Sequence, residues 1–266
     1  MLEYFFLFIS LIQSKNYAIL FNGSSNYFNY RHNTNILLLY NLLLKNKYTS
    51  DEIILLTGEK IHEDMRNIDK DHIYLNDKMK IKKDKYCYED ATLQSLLNII
   101  NLNHNKLLDC DKNSNLLIYL CGHGNQEFLK IKYREAIYTD DFSRCINNLS
   151  QRVNKILVIV DTCHAFSFVP KNIPSNVFYM ATSKMDEPSV SSNYSNKLGV
   201  YCVDNFMFHL HKLMLNFKMN LVDFCKLFTK EILKSTMLTK GNKNFFVGDF
   251  FTQKEKIPDE SDILEL

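Results

Sequence analysis

The sequence predicts one α/β domain in which a mostly parallel sheet is sandwiched between helices. Short apolar runs alternate with segments whose apolar residues recur at helical spacing, and each run stops in polar or glycine-containing sequence. The 266 residues are 46% hydrophobic and 23% charged, enough for one sizeable core and against a disordered chain or a fibre. Only 7 Gly and 4 Pro occur and no segment repeats at a solenoid period, which excludes a many-turned barrel or propeller.

The strands are expected at Tyr17–Asn22, Glu52–Thr57, Leu116–Cys121, Ile156–Asp161 and Val177–Thr182, each apolar enough to be covered on both faces. Helical spacing marks residues 33–45, 89–102, 140–150, 200–216 and 220–235. Residues 58–88 are rich in lysine and aspartate without a clear period, and 184–197 is a polar loop. No linker divides the chain, so 15–266 reads as one domain.

Residues 1–14, MLEYFFLFISLIQS, carry an apolar run too short to cross a bilayer and resemble a secretory signal peptide, although Glu3 and not a basic residue precedes the run. Export into the endoplasmic reticulum is the expectation. Seven cysteines, at 87, 110, 121, 145, 163, 202 and 225, contain no C-x-x-C pair, so neither a zinc ribbon nor a small disulfide framework is indicated. Asn22, Asn148 and Asn193 head N-glycosylation sequons. The 32 basic and 30 acidic side chains are scattered, which argues against nucleic acid as a partner.

Ligands of an open parallel sheet gather beyond the carboxyl ends of its strands. Two such ends stand out, Cys121-Gly-His-Gly124 and Asp161-Thr-Cys-His-Ala165. A thiol past one strand and an imidazole past its neighbour form the pair that nucleophilic catalysis needs. Cys163 is then the nucleophile and His123 the base. Gly124 lacks a side chain, so its N–H is free to approach a carbonyl oxygen and share the developing charge with the N–H of Cys163. A rival reading makes Cys121, His123, Cys163 and His164 four zinc ligands, at a spacing unlike short-loop sites.

The ordered set Phe28-Asn-Tyr-Arg-His32, Tyr119-Leu-Cys-Gly-His-Gly124, Ile159-Val-Asp-Thr-Cys-His-Ala165 and Met180-Ala-Thr-Ser183 resembles the catalytic subunits of glycosylphosphatidylinositol (GPI) transamidases. These belong with legumain among the caspase-like cysteine peptidases. The resemblance runs from about Asn16 to Asp249 and includes Gly199-Val with Asp204 downstream. It implies a caspase-like three-layer sandwich with about six strands. It also implies that Asn29 orients His123, that Gly124 is an oxyanion donor, and that Arg31, Asp161 and Ser183 line the pocket for the residue before the cut bond. The implied reaction passes through a thioester to Cys163, which the ethanolamine amine of a GPI glycolipid resolves. Precursor proteins with a C-terminal signal are the substrates, and other membrane-bound subunits are the partners that hold the chain at the membrane.

Some features depart from the family pattern. Position 121 is Cys where a small hydroxyl residue is expected, which sets a second thiol close to Cys163 and open to oxidation with it. Residues 58–72 contain no cysteine to bridge to a partner. Calcium is associated with the family, but Lys82 and Lys83 beside Asp84 crowd the matching region, so no metal or other cofactor is expected. The competing functional readings are a legumain-like soluble endopeptidase and a catalytically silent scaffold.

Overall fold

The computed structural model describes residues 15–83 and 85–253; the leader-like segment 1–14 and Asp84 lie outside the described residues. The elements follow in chain order as β1 (Asn16–Asn22), α1 (Tyr30–Lys45), β2 (Ile53–Thr57), β3 (His72–Tyr74), β4 (Lys80–Lys82), β5 (Glu89–Asp90), α2 (Leu93–Ile100) and β6 (Asn115–Cys121). Then come β7 (Gly124–Asn125), β8 (Phe128–Ile131), β9 (Glu135–Tyr138), α3 (Thr139–Ser150), β10 (Lys155–Asp161) and β11 (Val177–Ala181). The chain continues with β12 (Tyr194–Ser195), β13 (Val200–Tyr201), α4 (Asn205–Lys212), α5 (Leu221–Lys226), α6 (Lys230–Leu233) and β14 (Leu238–Gly241).

The main sheet runs in the order β14-β11-β10-β6-β1-β2-β5, parallel throughout except for β14, which adds antiparallel at one edge. The expected sandwich is present, with seven strands where about six were foreseen. Side chains of β6 alternate between its two faces. Leu117, Tyr119 and Cys121 pack with α1, α4 and α5, whereas Leu116, Ile118 and Leu120 pack with α2 and α3. Burial on both faces is why the central strands read as unbroken apolar runs.

Several expected helices are shorter. The segment 89–102 becomes α2 at Leu93–Ile100, because Thr92 is extended and its side chain caps the helix by accepting from the N–H of Ser95. Glu89–Asp90 instead pairs with β2. In 200–216, Val200–Tyr201 pairs with Tyr194–Ser195 and the helix stops at Lys212, after which Leu213 is extended. The segment 220–235 is interrupted where Thr229 adopts an extended conformation before α6. The aperiodic stretch 58–88 holds the β3–β4 ribbon. Of the three sequons, Asn22 is fully buried and Asn193 nearly so, which leaves Asn148 on α3 exposed. No helix among the described residues is long and apolar enough to cross a membrane.

The register of the sheet positions the site. Asn22, Cys121 and Asp161, the last residues of β1, β6 and β10, lie side by side. The three loops that follow therefore emerge together at one edge, where the chain turns to opposite sides of β1.

Candidate active site

His123 and Cys163 each stand two residues beyond a strand end, at matched positions on adjacent strands. Gly122 makes the turn before His123 with φ of +141°, a conformation open to glycine. Gly124 lets the two loops touch: a Cβ placed there would lie 2.6 Å from the carbonyl oxygen of Cys163. Distance in sequence thus becomes adjacency at the rim.

Asn29 is the N-cap residue of α1, yet its side chain makes no capping bond. Its Nδ2 donates to the carbonyl of Ser25 at 2.7 Å, which fixes the amide and leaves Oδ1 to accept from Nε2–H of His123 at 2.9 Å. With Nε2 protonated, Nδ1 is the acceptor nitrogen of His123. Burial of its inner edge, then the charges of Arg31 and Lys130, hold the imidazole below its usual 6.5, which favours the neutral form that can accept a proton.

The Cys163 thiol is half-buried and its hydrogen bond goes to the carbonyl of Ser189 at 3.9 Å. Among the described residues no acceptor takes the N–H of Cys163, whereas the next three N–H groups are bound by Glu187 O, Ser183 Oγ and Ser183 O. The Lys130 N–H bond to His123 O makes Gly124 and Leu129 a non-hydrogen-bonded pair, so the Gly124 N–H points away from β8. Two backbone donors, on the touching Gly124 and Cys163 loops, are therefore unspent among the described residues.

The remaining expected residues divide. Arg31 pairs with Asp204, its Nε 3.3 Å from Oδ1, and not with Asp161 as the sequence suggested. Asp161 is buried beneath the rim and accepts from Tyr119 at 2.7 Å, Thr182 at 2.8 Å and Ser189 at 3.4 Å. Ser183 is fully buried and turned into the nucleophile turn, donating to Thr162 O and accepting from Ala165 N–H, both at 2.9 Å. Cys121 is also fully buried, against the carbonyl of His32 at 3.5 Å. Burial, then the charges of Asp161 and Asp204, push its thiol well above the usual range, so it is not poised to attack a disulfide or bind zinc. His164 accepts from the N–H of Asp186, and no group of three or more metal-type side chains gathers among the described residues.

Sequence reasoning passed over His32. Its ring edge meets His123 with centroids 5.2 Å apart, and its Nδ1 lies 2.7 Å from Ser24 Oγ. Burial keeps it neutral. Its place directly after Arg31 in the motif was the available signal.

Burial, together with the nearby Asp204 charge, pushes the Asp161 carboxyl up to about 7 from 3.8. The folded chain therefore holds a proton that the unfolded chain releases near 3.8, and this contribution to stability is lost as pH rises from about 4 through about 7. Asp161→Asn removes that loss. The melting temperature of the variant relative to wild type should climb between pH 5 and pH 8; a difference that stays flat across this range contradicts the buried titration.

Comparison with known proteins gives a consistent picture. The Peptidase C13 family model matches residues 16–239. The GPI-anchor transamidase of Saccharomyces cerevisiae is 28% identical over 274 residues, covering 93% of this chain and 66% of that protein. The human GPI-anchor transamidase is 25% identical over 278 residues, covering 95% and 70%. The chain thus spans about two thirds of the length of these relatives. The crystal structure of caspase-1 from Spodoptera frugiperda has a TM-score of 0.52 at 9% identity, covering 91% of this chain and 93% of that one, a likeness of fold.

Proposed function

Because this chain belongs to the Peptidase C13 family, we propose that it is the catalytic chain of a GPI transamidase acting on precursor proteins at the endoplasmic reticulum, held at the membrane by partner subunits. The observation that supports this most is the Asn29–His123 bond at 2.9 Å beside the Cys163 turn, in a chain whose relatives carry the name GPI-anchor transamidase.

In this reading Nδ1 of His123 takes the proton of Cys163, and the thiolate attacks the carbonyl carbon of the precursor. A C–S bond forms as the carbonyl opens to an oxyanion between the N–H groups of Gly124 and Cys163. Collapse breaks the C–N bond, and His123 returns its proton to the departing amine of the signal peptide. A thioester remains. The ethanolamine amine of the glycolipid then attacks, gives its proton to His123, and expels the Cys163 thiolate as the new amide forms. Arg31, paired with Asp204 over the buried Asp161, bounds the pocket for the residue before the cut bond.

Cells lacking their own transamidase test the proposal. The wild-type chain should restore surface display of GPI-anchored proteins and Cys163→Ala should not. Restoration by Cys163→Ala contradicts it. Efficient cleavage of short peptides by the isolated chain, with water as the only acceptor, favours a legumain-like endopeptidase.

A further inference from the structure

At the far end of α1 from the catalytic rim, a cleft of about 250 Å³ opens between three elements distant in sequence. Asn41, Leu44 and Lys45 come from α1, Ile81 and Lys82 from β4, and His211 from α4. Its nearest lining residue on this helix, Asn41, stands twelve residues along from Asn29, roughly 18 Å at 1.5 Å per residue. It is not part of the site already described.

The lining has one sign of charge. Lys45, Lys82 and His211 line one concave volume, and none of them forms an ion pair among the described residues. The charges that act on His211 are Lys45 and Lys212, both of which disfavour its protonation after burial has done so. Lysines on a convex surface diverge into water and need no counter-ion. Here the exposed Lys45 and Lys82 and the half-buried His211 border one recess with a floor of Leu44 and Ile81, so an anion seated in it meets donors and positive charge from three separate elements. The polar groups present are ammonium, imidazole and the Asn41 amide, whose amide already hydrogen-bonds with Tyr86 Oη at 3.1 Å. Such a set offers donors to an oxygen-rich anion. The volume lies below the range of drug-sized ligand pockets and suits a single compact group.

We propose that this cleft binds a phosphate ester group. The oxygens of the phosphate take the two ammonium groups and the imidazole N–H, and the carbon side of the ester lies on Leu44 and Ile81. A lipid headgroup and a small soluble phosphoester share that chemistry.

The purified full chain is titrated with inorganic phosphate and with glycerol 3-phosphate while the ring resonances of His211 are followed by NMR, assigned with His211→Gln. In parallel, it is floated with phosphatidylcholine vesicles with and without phosphatidylinositol. A saturable His211 shift with the soluble probes identifies a soluble phosphoester as ligand, and flotation that depends on phosphatidylinositol identifies the lipid. In either arm Lys45→Glu with Lys82→Glu should weaken binding by about tenfold or more, the order expected for two such charges. Lys171→Glu, an exposed lysine away from the cleft, should leave it unchanged. No response in either arm, or an equal loss with Lys171→Glu, overturns the proposal. Catalytic activity is not the readout, so failure here leaves the transamidase reading untouched.

Discussion

Cys163→Ala should abolish acyl transfer, His123→Ala should lower it by roughly 10⁶-fold, and the double variant should be no worse than Cys163→Ala alone. The reason is chemical. A thiol that keeps its proton is a poor nucleophile, and an imidazole with no thiol to deprotonate has no task in forming the thioester. The losses therefore overlap and do not add. The fold gives little reason for a competing structural effect: the Cys163 thiol makes one weak contact with Ser189 O, and His123 stands at the exposed rim with one side-chain bond, to Asn29. All three variants should melt close to wild type. The rates are read from a single-turnover assay with an activated peptide ester and an amine acceptor. Losses that multiply in the double variant would show two independent roles and sink the paired mechanism; a wild-type rate in Cys163→Ala would remove the nucleophile altogether.

The parts of this molecule legible in the sequence are those fixed by burial or by strand ends. β1, β6, β10 and β11 are buried along almost their whole length, so an uninterrupted apolar run is their signature. β14 escaped notice because all four of its residues are only partly buried, at the sheet edge. The β7–β8–β9 ribbon is built from strands of two to four residues with mixed exposure, too short for a period to emerge. In the candidate site, Asn29, His123 and Cys163 were legible as candidates because each stands in a recognisable run next to a secondary-structure terminus. The direction of a side chain across elements was not. Asp161 and Asp204 are both buried carboxylates, and only the packing of α4 against α1 decides that Arg31 takes Asp204. Ser183 follows β11 at the correct edge, but its hydroxyl is drawn inward by Thr162 O and Ala165 N–H, which no pattern in Met180-Ala-Thr-Ser183 encodes.

Gly124→Ala should lower kcat by roughly 10²- to 10³-fold, the cost of losing one well-aligned oxyanion donor, with KM little changed. The added methyl meets three atoms closer than a real Cβ tolerates: Thr162 Oγ1 at 2.5 Å, Cys163 O at 2.6 Å and Thr162 Cβ at 2.8 Å. None of them yields cheaply. Thr162 Oγ1 donates to Cys163 O at 2.9 Å, and Thr162 O is pinned by Ser183 Oγ from the neighbouring strand end. Relief must come from parting the His123 loop and the Cys163 turn, and a misplacement of about 1 Å between reacting groups already costs on the order of 10²-fold. Overpacking of this kind also destabilises by about 1–3 kcal/mol, so the melting temperature should fall. A mere loss of folded protein scales the amount of active enzyme, which active-site titration corrects; a displaced donor lowers the rate per active site. Thr162→Ala in the same chain removes only the Oγ1 clash and leaves those with Cys163 O and Thr162 Cβ, so it should recover part of the stability and little of the rate. A Gly124→Ala chain that keeps its rate per titrated thiol would mean that the N–H of residue 124 carries no share of the oxyanion, and that this glycine serves only the close approach of the two loops.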